Sequence, residues 1–348
     1  MKGIVKEKFG VNGTIYREDI PEPNAQYGQV KIKVHASSIC GSDVHVLYDN
    51  MQVDNRYRMP VILGHEGSGE IVEVGEGVKN YKVGDRVVAE TTYESCMQCE
   101  NCYESYFNCC EKRVGLGSGI GGFFAEYVVV PERSVHKIPD NLSYEAAAPT
   151  EPLACAVHGV LNQSKVQPGN VVIVSGPGPI GLYASQVAKA SGCVVVLTGR
   201  TSSQKRMNFA KDILGIQHTV DIKKTDLKEY IMDLTDGRGC DAYYECAGSV
   251  QAIKTGFDVL KKRGQMILIG VSLDMIEMTL GKIMYSKELT LRGVKSTTPE
   301  AWDKALRLLR YGLIDAESMI SHVLPLKEWK KGYELARQHE SIKVVLKP

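Results

Sequence analysis

Short stretches in the first part of the chain alternate between apolar and polar positions, as in Gln29-Val-Lys-Ile-Lys-Val-His35. A period of two predicts β-strands with one wet face, and Pro21-Glu-Pro23 marks a turn between two of them. The alternation resumes after Gly67 and again over residues 123–138. Glycines at the turns between such short strands favour a small β-barrel.

The pattern changes at Val171-Val-Ile-Val174, an apolar run that predicts a strand buried on both faces. A helical stretch over residues 182–190 and a second apolar strand over residues 193–197 follow. Strand and helix alternate through residue 271, which predicts an α/β fold with a doubly wound parallel sheet and right-handed crossovers.

The last part of the chain changes pattern once more. It predicts a strand over residues 289–294, helices over residues 300–310 and 326–338, and a strand over residues 342–347. A chain of 348 residues favours two domains. We expect this tail to rejoin the first domain, so that the α/β part is an insertion and a cleft lies between the two.

Composition narrows the class of protein. The hydrophobic fraction is 43%, the charged fraction is 24% and the net charge is +1, so nothing favours binding to nucleic acid or to an anionic membrane. The first residues lack the apolar stretch of a signal peptide, and no apolar run reaches membrane-spanning length. We therefore expect a cytoplasmic protein whose ten cysteines are reduced or bind metal.

Candidate chemistry begins with Cys40, His65 and Glu66. A thiolate, an imidazole and a carboxylate form the ligand mixture that zinc takes when one coordination position stays open for water or substrate. Glu151 stands in a stretch of small and apolar residues, which predicts a further carboxylate ligand, direct or through water. The alternative for Glu151 is a helix-capping acid.

Three polar residues follow Cys40 closely. Ser42 is predicted to pass on the proton of a bound alcohol, and His45 to carry that proton toward solvent. Asp43 is predicted to orient His65 through the second imidazole nitrogen. The simpler interpretations are a turn residue or helix cap for Ser42, a cap for Asp43 and a surface side chain for His45.

A second metal motif is a run of cysteines. Cys96, Cys99, Cys102 and Cys110 have C-x2-C-x2-C-x7-C spacing, which allows four thiolates to enclose one structural zinc ion. An iron-sulfur cluster is the competing interpretation. Cys109 is an alternative fourth ligand.

The strand at residues 171–174 leads into G-x-G-x-x-G at Gly176, Gly178 and Gly181, with Pro179 and Ile180 inside the motif. Glycines here allow a pyrophosphate to approach a helix N-terminus, so the motif predicts dinucleotide binding.

The next strand ends in a basic turn and lacks the acid that an NAD site carries. The residues that favour a 2′-phosphate at this turn are Arg200, Ser202, Ser203, Lys205 and Arg206. NADP therefore competes with NAD as the predicted cofactor. A solvated basic turn is the simpler interpretation.

Together these motifs resemble the zinc-dependent medium-chain alcohol dehydrogenase family, in the branch of sorbitol and threonine dehydrogenases. The resemblance rests on Cys40-Gly-Ser-Asp-Val-His45, Gly64-His-Glu-Gly67, Val83-Gly-Asp-Arg-Val87, the four cysteines, Glu151-Pro-Leu153 and the glycines from Gly176 to Gly181. It implies a GroES-like β-barrel catalytic domain, residues 1–152 and 288–348, and a Rossmann domain, residues 153–287.

The resemblance also implies site roles. Cys40, His65 and Glu66 would surround a catalytic zinc ion with Glu151 nearby, and Ser42 would begin proton release. The seven-residue gap of the family pattern selects Cys110 over Cys109 at the structural zinc. Homodimers or homotetramers are implied as well.

The implied reaction is oxidation of a secondary alcohol of a polyol to a ketose with NAD or NADP. A polyol phosphate, as in arabitol-phosphate dehydrogenase, is an alternative substrate, with Arg56, Arg58, Lys112 or Arg113 as phosphate anchors. Threonine is another, although the sequence shows no anchor for its ammonium and carboxylate groups. An inactive zinc- and nucleotide-binding sensor is the alternative from a different class.

Overall fold

A computed structural model describes residues 1–48, 57–272 and 274–348, and the chain divides into two compact units. Unit 1 consists of Met1–Glu151, Ser296–Arg310 and Ala316–Pro348, and unit 2 of Pro152–Lys295 and Tyr311–Asp315. No helix within the described ranges is long and apolar enough to cross a lipid bilayer.

The strands are, in chain order, β1 Gly3–Lys6, β2 Thr14–Arg17, β3 Gln29–Ser38, β4 Val61–Ile62, β5 Gly67–Val74, β6 Arg86–Ala89, β7 Thr92–Glu94, β8 Val114–Gly115, β9 Tyr127–Pro131, β10 Val135–Lys137, β11 Val171–Ser175, β12 Val194–Gly199, β13 His218–Asp221, β14 Cys240–Glu245, β15 Leu260–Leu268, β16 Thr290–Gly293, β17 Ile320–Pro325 and β18 Lys343–Lys347. The α-helices are α1 Gly41–Leu47, α2 Glu100–Tyr103, α3 Tyr144–Ala147, α4 Thr150–Val157, α5 Pro179–Ala190, α6 Gln204–Asp212, α7 Leu227–Leu234, α8 Val250–Val259, α9 Leu280–Lys287, α10 Pro299–Arg310 and α11 Trp329–Arg337. Single 3-10 turns lie at Val11–Gly13, Phe107–Cys109, Glu132–Ser134, Thr201–Ser203 and Leu326–Glu328, and a π-helical turn at His158–Asn162.

Unit 1 is built on β3, the long strand that the alternating pattern predicts. It pairs with β5, β9 and β18 in a seven-stranded sheet. Six of the strands follow the order β10-β6-β5-β3-β18-β17, and the seventh, β9, pairs with β3 outside this path. The inward residues Val30, Ile32 and Val34 are buried in one core cluster. Smaller sheets, β2-β1-β4 and β7-β8, complete the unit.

Unit 2 is a six-stranded sheet in the order β13-β12-β11-β14-β15-β16, and each neighbouring pair is parallel. The central strand β11 is buried along most of its length, as its unbroken apolar sequence predicts. The predicted fold class, a GroES-like barrel domain with a doubly wound Rossmann domain, is confirmed.

The structure corrects the second predicted domain boundary. The strand predicted over residues 289–294 exists as β16, but it pairs with β15 as the edge of the parallel sheet, Met266 facing Leu291. Unit 2 therefore extends to Lys295 rather than to residue 287. It also takes Tyr311–Asp315, where the backbone N–H of Asp315 donates to the Gln186 side chain at 2.7 Å.

Candidate metal centres and dinucleotide site

The turn between β3 and α1 places the first candidate ligand. Cys40 is the N-cap of α1, and its backbone N–H donates to Asp43 Oδ2 at 2.9 Å. A carboxylate at this position caps the helix and complements its positive end. The other oxygen, Oδ1, lies 3.5 Å from His65 Nδ1, so Asp43 both caps α1 and contacts the imidazole.

The turn before β5 places the next two ligands. Gly64 adopts φ +90°, and a Cβ there would lie 2.5 Å from the Phe124 ring, so only glycine fits. This tight turn holds His65 and Glu66 next to the N-terminus of α1. Ligand atoms of Cys40, His65 and Glu66 all lie within 4.8 Å of one another.

The Glu66 carboxylate shows that this group fits a cation. Glu66 is fully buried, and its Oε2 accepts hydrogen bonds from Ser38 Oγ and Lys343 Nζ. Its Oε1 has no hydrogen-bond partner among the described residues. Burying a carboxylate oxygen without a hydrogen-bond partner costs free energy unless a cation binds it, and a zinc ion would bind Oε1 in this way.

Lys343 is a residue that the sequence analysis missed. Its side chain is 2% exposed, and it contacts both the Glu66 carboxylate and the carbonyl of Ile39, the latter at 2.9 Å. The available signal was a lysine at the start of the apolar strand β18. Its charge offsets part of the negative charge that the ligands bring.

The electrostatic surroundings of His65 also favour a bound cation at this ligand group. Burial of the ring opposes protonation, but the Asp43 carboxylate and the Cys40 thiol outweigh burial and raise the pKa of His65 well above its ordinary value of 6.5. Surroundings that stabilise positive charge on this imidazole also suit a bound metal cation.

The ligand group does not include the other residues predicted for this centre. Glu151 is buried in the first turn of α4, but the mutually close ligand atoms found in the described chain do not include it. Ser42 is half-buried in the first turn of α1, and His45 is exposed in its last turn. Arg58 is exposed, and Arg56 lies outside the described residues.

The second centre is the four-cysteine loop around α2. The Sγ atoms of Cys99 and Cys102 are 3.5 Å apart, those of Cys96 and Cys102 are 3.9 Å apart, and Cys110 completes the group. Sulfurs around one tetrahedral zinc ion are about 3.8 Å apart, because each Zn–S bond is about 2.3 Å. The observed spacing therefore favours one zinc ion over a cluster of several irons. Cys109 is not in the group.

Thiols this close affect each other's ionisation. The backbone N–H of Gln98 contributes most to lowering the pKa of Cys96 to about 6. Although the backbone N–H of Cys102 lowers the pKa of Cys99, burial and the neighbouring thiols raise it to about 11. Four thiols at this distance cannot all ionise without a cation, so this group also fits zinc.

Arg113 ties the cysteine loop to β7. Its Nε donates to Thr92 Oγ1 at 2.8 Å and its Nη2 to Thr91 Oγ1 at 3.0 Å. The side chain is thus used within the structure, which argues against Arg113 as a phosphate anchor.

The dinucleotide motif forms the predicted turn between β11 and α5. The helix begins at Pro179, earlier than predicted, with Gly178 as its N-cap. A Cβ on Gly181 would lie 1.9 Å from the carbonyl oxygen of Gly176, whereas a Cβ on Gly178 would meet nothing within 4 Å. The turn therefore has open space at a helix N-terminus, where a pyrophosphate fits.

The basic turn follows β12. Arg200, Ser202 and Lys205 are exposed, while Ser203 is half-buried. Arg206 is also half-buried, and burial lowers its pKa.

Asp221, which no sequence motif indicated, pairs with Gly199 at the end of the neighbouring strand β13. Its Oδ2 accepts a hydrogen bond from Thr201 Oγ1 at 2.6 Å, so the turn contains one fixed carboxylate among its cations.

Two family models match the chain. One, described as the alcohol dehydrogenase GroES-like domain, matches residues 26–140, and the other, described as zinc-binding dehydrogenase, matches residues 179–310. The chain belongs to the zinc-binding alcohol dehydrogenase family. It is therefore an NAD(P)-dependent oxidoreductase, and the predicted cofactors, zinc and NAD(P), are confirmed at the level of the family.

Curated relatives span the whole dehydrogenase. A sorbitol dehydrogenase of Halalkalibacterium halodurans is 42% identical, covering 100% of this chain and 99% of the relative. A D-arabitol-phosphate dehydrogenase of Enterococcus avium is 39% identical, covering 99% and 97%. An L-threonine 3-dehydrogenase of Bacillus velezensis is 36% identical, covering 100% and 99%.

Among solved structures, a zinc-binding dehydrogenase of Sinorhizobium meliloti bound to NADP superposes on this dehydrogenase with a TM-score of 0.88. It is 30% identical and covers 100% of this chain and 99% of its own.

Proposed function

We propose that this dehydrogenase oxidises a secondary alcohol of a polyol to a ketose by hydride transfer to NAD or NADP. The ligand group of Cys40, His65 and Glu66 carries the proposal, because three donors leave the fourth corner of a tetrahedron for a substrate oxygen. The polyol class is supported by the sorbitol and D-arabitol-phosphate relatives. Zinc, when bound, supplies a Lewis acid, and the nicotinamide supplies the hydride acceptor.

Residues of α1 and its neighbours handle the proton in this proposal. Ser42 Oγ accepts the proton of the substrate hydroxyl and passes its own hydroxyl proton on toward His45. His45, exposed three residues later on the same helix face, releases a proton to water. Asp43 keeps His65 in one orientation through the 3.5 Å contact. Glu151 stays a prediction as a direct or water-mediated ligand, and a cytoplasmic location stays a prediction as well.

The test is reduction of NAD and of NADP by the zinc-loaded enzyme across matched free polyols, polyol phosphates and threonine. Turnover of free polyols supports the proposal. Turnover confined to phosphates or to threonine contradicts the substrate class. The absence of turnover with every substrate, with two zinc ions per chain verified, contradicts the catalytic role and favours the sensor.

A polyol phosphate is the second candidate because of the D-arabitol-phosphate relative. Of its proposed anchors, Arg113 is bound to Thr91 and Thr92, whereas Arg58 and Lys112 are exposed. Arg58→Ala and Lys112→Ala should each raise KM for the phosphate but not for the free polyol if this candidate is correct. Equal KM changes for both substrates would contradict it.

We further propose that the basic turn makes NADP the preferred cofactor. Arg200 and Lys205 are exposed beside Ser202, as a 2′-phosphate requires. Arg200→Ala should raise KM for NADP about tenfold and leave KM for NAD unchanged. Arg238→Ala, a cation 74% exposed elsewhere in unit 2, is the control. An equal effect of Arg200→Ala on both cofactors would contradict the preference.

A homo-oligomer is proposed through the edge of the parallel sheet. Met275 and Tyr285 are 85% and 91% exposed in the segment that leads to the edge strand β16, and α9 has no buried residue. Such exposed apolar residues in the segment before a sheet edge are suited to contact with a second copy. Tyr285→Glu should dissociate the assembly in light scattering. A wild-type monomer, or an unchanged assembly, would contradict the proposal.

A further inference from the structure

Glu245 is a fully buried carboxylate at the end of β14. β14 lies beside β11, with Glu245 paired to Ser175 directly before the phosphate-binding turn. The sheet order reverses between these two strands, and dinucleotides bind at such a switch point, at the carboxyl ends of the strands.

The Glu245 side chain organises the loop that follows it. The backbone N–H groups of Ala247, Gly248 and Ser249 donate to its carboxylate at 2.9, 3.1 and 3.4 Å. No lysine, arginine or histidine in the described chain forms an ion pair with Glu245. Backbone donors therefore compensate its burial, although burial still raises its pKa.

The Glu245 backbone organises a second loop. Its carbonyl oxygen accepts hydrogen bonds from the N–H groups of Ile269 and Gly270, at 2.9 and 2.7 Å, directly after β15. One residue thus holds the loops that follow β14 and β15.

The loop after β14 packs against the phosphate-binding turn. The N–H of Cys246 donates to the Ser175 carbonyl at 3.0 Å. A Cβ on Gly176 would lie 2.9 Å from the Cβ of Ala247. A shift of the loop would therefore move the surface against which the turn packs.

We propose that Glu245 is a positioning residue for the nicotinamide half of the dinucleotide. A dinucleotide binds across the switch point, with one half on each side. The adenosine half lies on the side of β12 and its basic turn. The loops after β14 and β15 therefore lie on the side of the nicotinamide half. Glu245 acts through the backbone groups that it holds and does not touch the cofactor.

The test compares Glu245→Gln with the wild type in the full-length, zinc-loaded enzyme. Fluorescence titration gives Kd for NADH and NADPH, and calorimetry gives Kd for 5′-AMP, which reports the adenosine half alone. We expect Kd for the dinucleotides to rise about tenfold, because the amide nitrogen cannot accept hydrogen bonds from the loop. Kd for 5′-AMP should change less than about twofold.

Asp226→Asn is the matched control, since Asp226 accepts N–H bonds from Lys228 and Glu229 at the start of α7 in the same unit. It should leave all three Kd values unchanged. Equal weakening of 5′-AMP and dinucleotide binding by Glu245→Gln, or no weakening of either, would overturn the proposal. If Glu245→Gln does not fold, Glu245→Asp, which keeps the charge with a shorter reach, is judged by the same comparison of Kd values.

Discussion

The two metal-ligand groups of unit 1 differ in how the chain builds them. Four cysteines come from one loop of fifteen residues, between Cys96 and Cys110, and would fill every corner of a tetrahedron around one ion. The other group joins Cys40 to a turn beyond the first helix, and Lys343, 277 residues from Glu66 in sequence, supports it. A site that only holds a metal can be local, whereas a site that reacts is supported by distant elements.

The two ligand groups also differ in how their negative charge is balanced. The cysteine thiols interact with each other, with backbone N–H groups and with the Ser95 hydroxyl, and Arg133 interacts electrostatically with Cys102. No residue forms a close ion pair with them as Lys343 does with Glu66 in the described chain, so most of their negative charge depends on the metal. Glu66 already has a cation, Lys343, and a hydroxyl, Ser38. Loss of the metal should therefore affect folding at the cysteine loop and chemistry at the other group.

The largest expected effect is on the cysteine loop. Cys99→Ser should remove one zinc ion per chain and lower the free energy of unfolding of unit 1 by about 4 kcal/mol or more, as loss of a structural metal does. Metal analysis and thermal unfolding measure both. Cys109→Ser is the control, because Cys109 is outside the group. Equal zinc loss in the two variants would contradict the assignment of Cys110 as the fourth ligand.

The next largest effect concerns the buried ion pair of Lys343 and Glu66. Lys343→Met leaves Glu66 charged and buried, so the zinc-free enzyme should lose about 3 kcal/mol of unfolding free energy. The zinc-loaded enzyme should lose less, because the metal compensates the carboxylate. Lys347→Met, at the exposed end of the same strand, should change neither. An equal loss of unfolding free energy with and without zinc would show that Glu66 does not bind the metal.

The smallest of these effects concerns His65. Asp43→Asn keeps an oxygen that can accept the Cys40 N–H but weakens the electrostatic hold on the imidazole. We expect zinc at this centre to bind about 10-fold to 100-fold more weakly in chelator competition. Asp226→Asn, a helix cap outside both ligand groups, is the control. Unchanged affinity would contradict an orienting role for Asp43.

Local patterns predicted much of this molecule. The spacing from Cys96 to Cys102 and the glycines before α5 specify their turns within a few residues, and both appear in the structure. The alternation that predicted β3 reflects burial on one face, which the core residue Ile32 shows.

Long-range pairing was not predictable in the same way. Thr290–Gly293 is a strand in sequence and in structure, but only its pairing with β15 assigns it to unit 2. Lys343 begins a short apolar strand, and no neighbour in sequence shows that it will be buried against Glu66. Asp221 joins the basic turn through strand register rather than sequence spacing.

The central claim is that the centre at Cys40, His65 and Glu66 is catalytic and the four-cysteine centre is structural. His65→Ala tests this claim most directly. Zinc content, Kd for the nicotinamide cofactor, thermal unfolding and turnover would be measured on the same preparation. We expect one zinc ion per chain instead of two, an unchanged cofactor Kd, near-native unfolding and no measurable turnover. Retained turnover with a single zinc ion, or loss of both zinc ions together, would contradict the account.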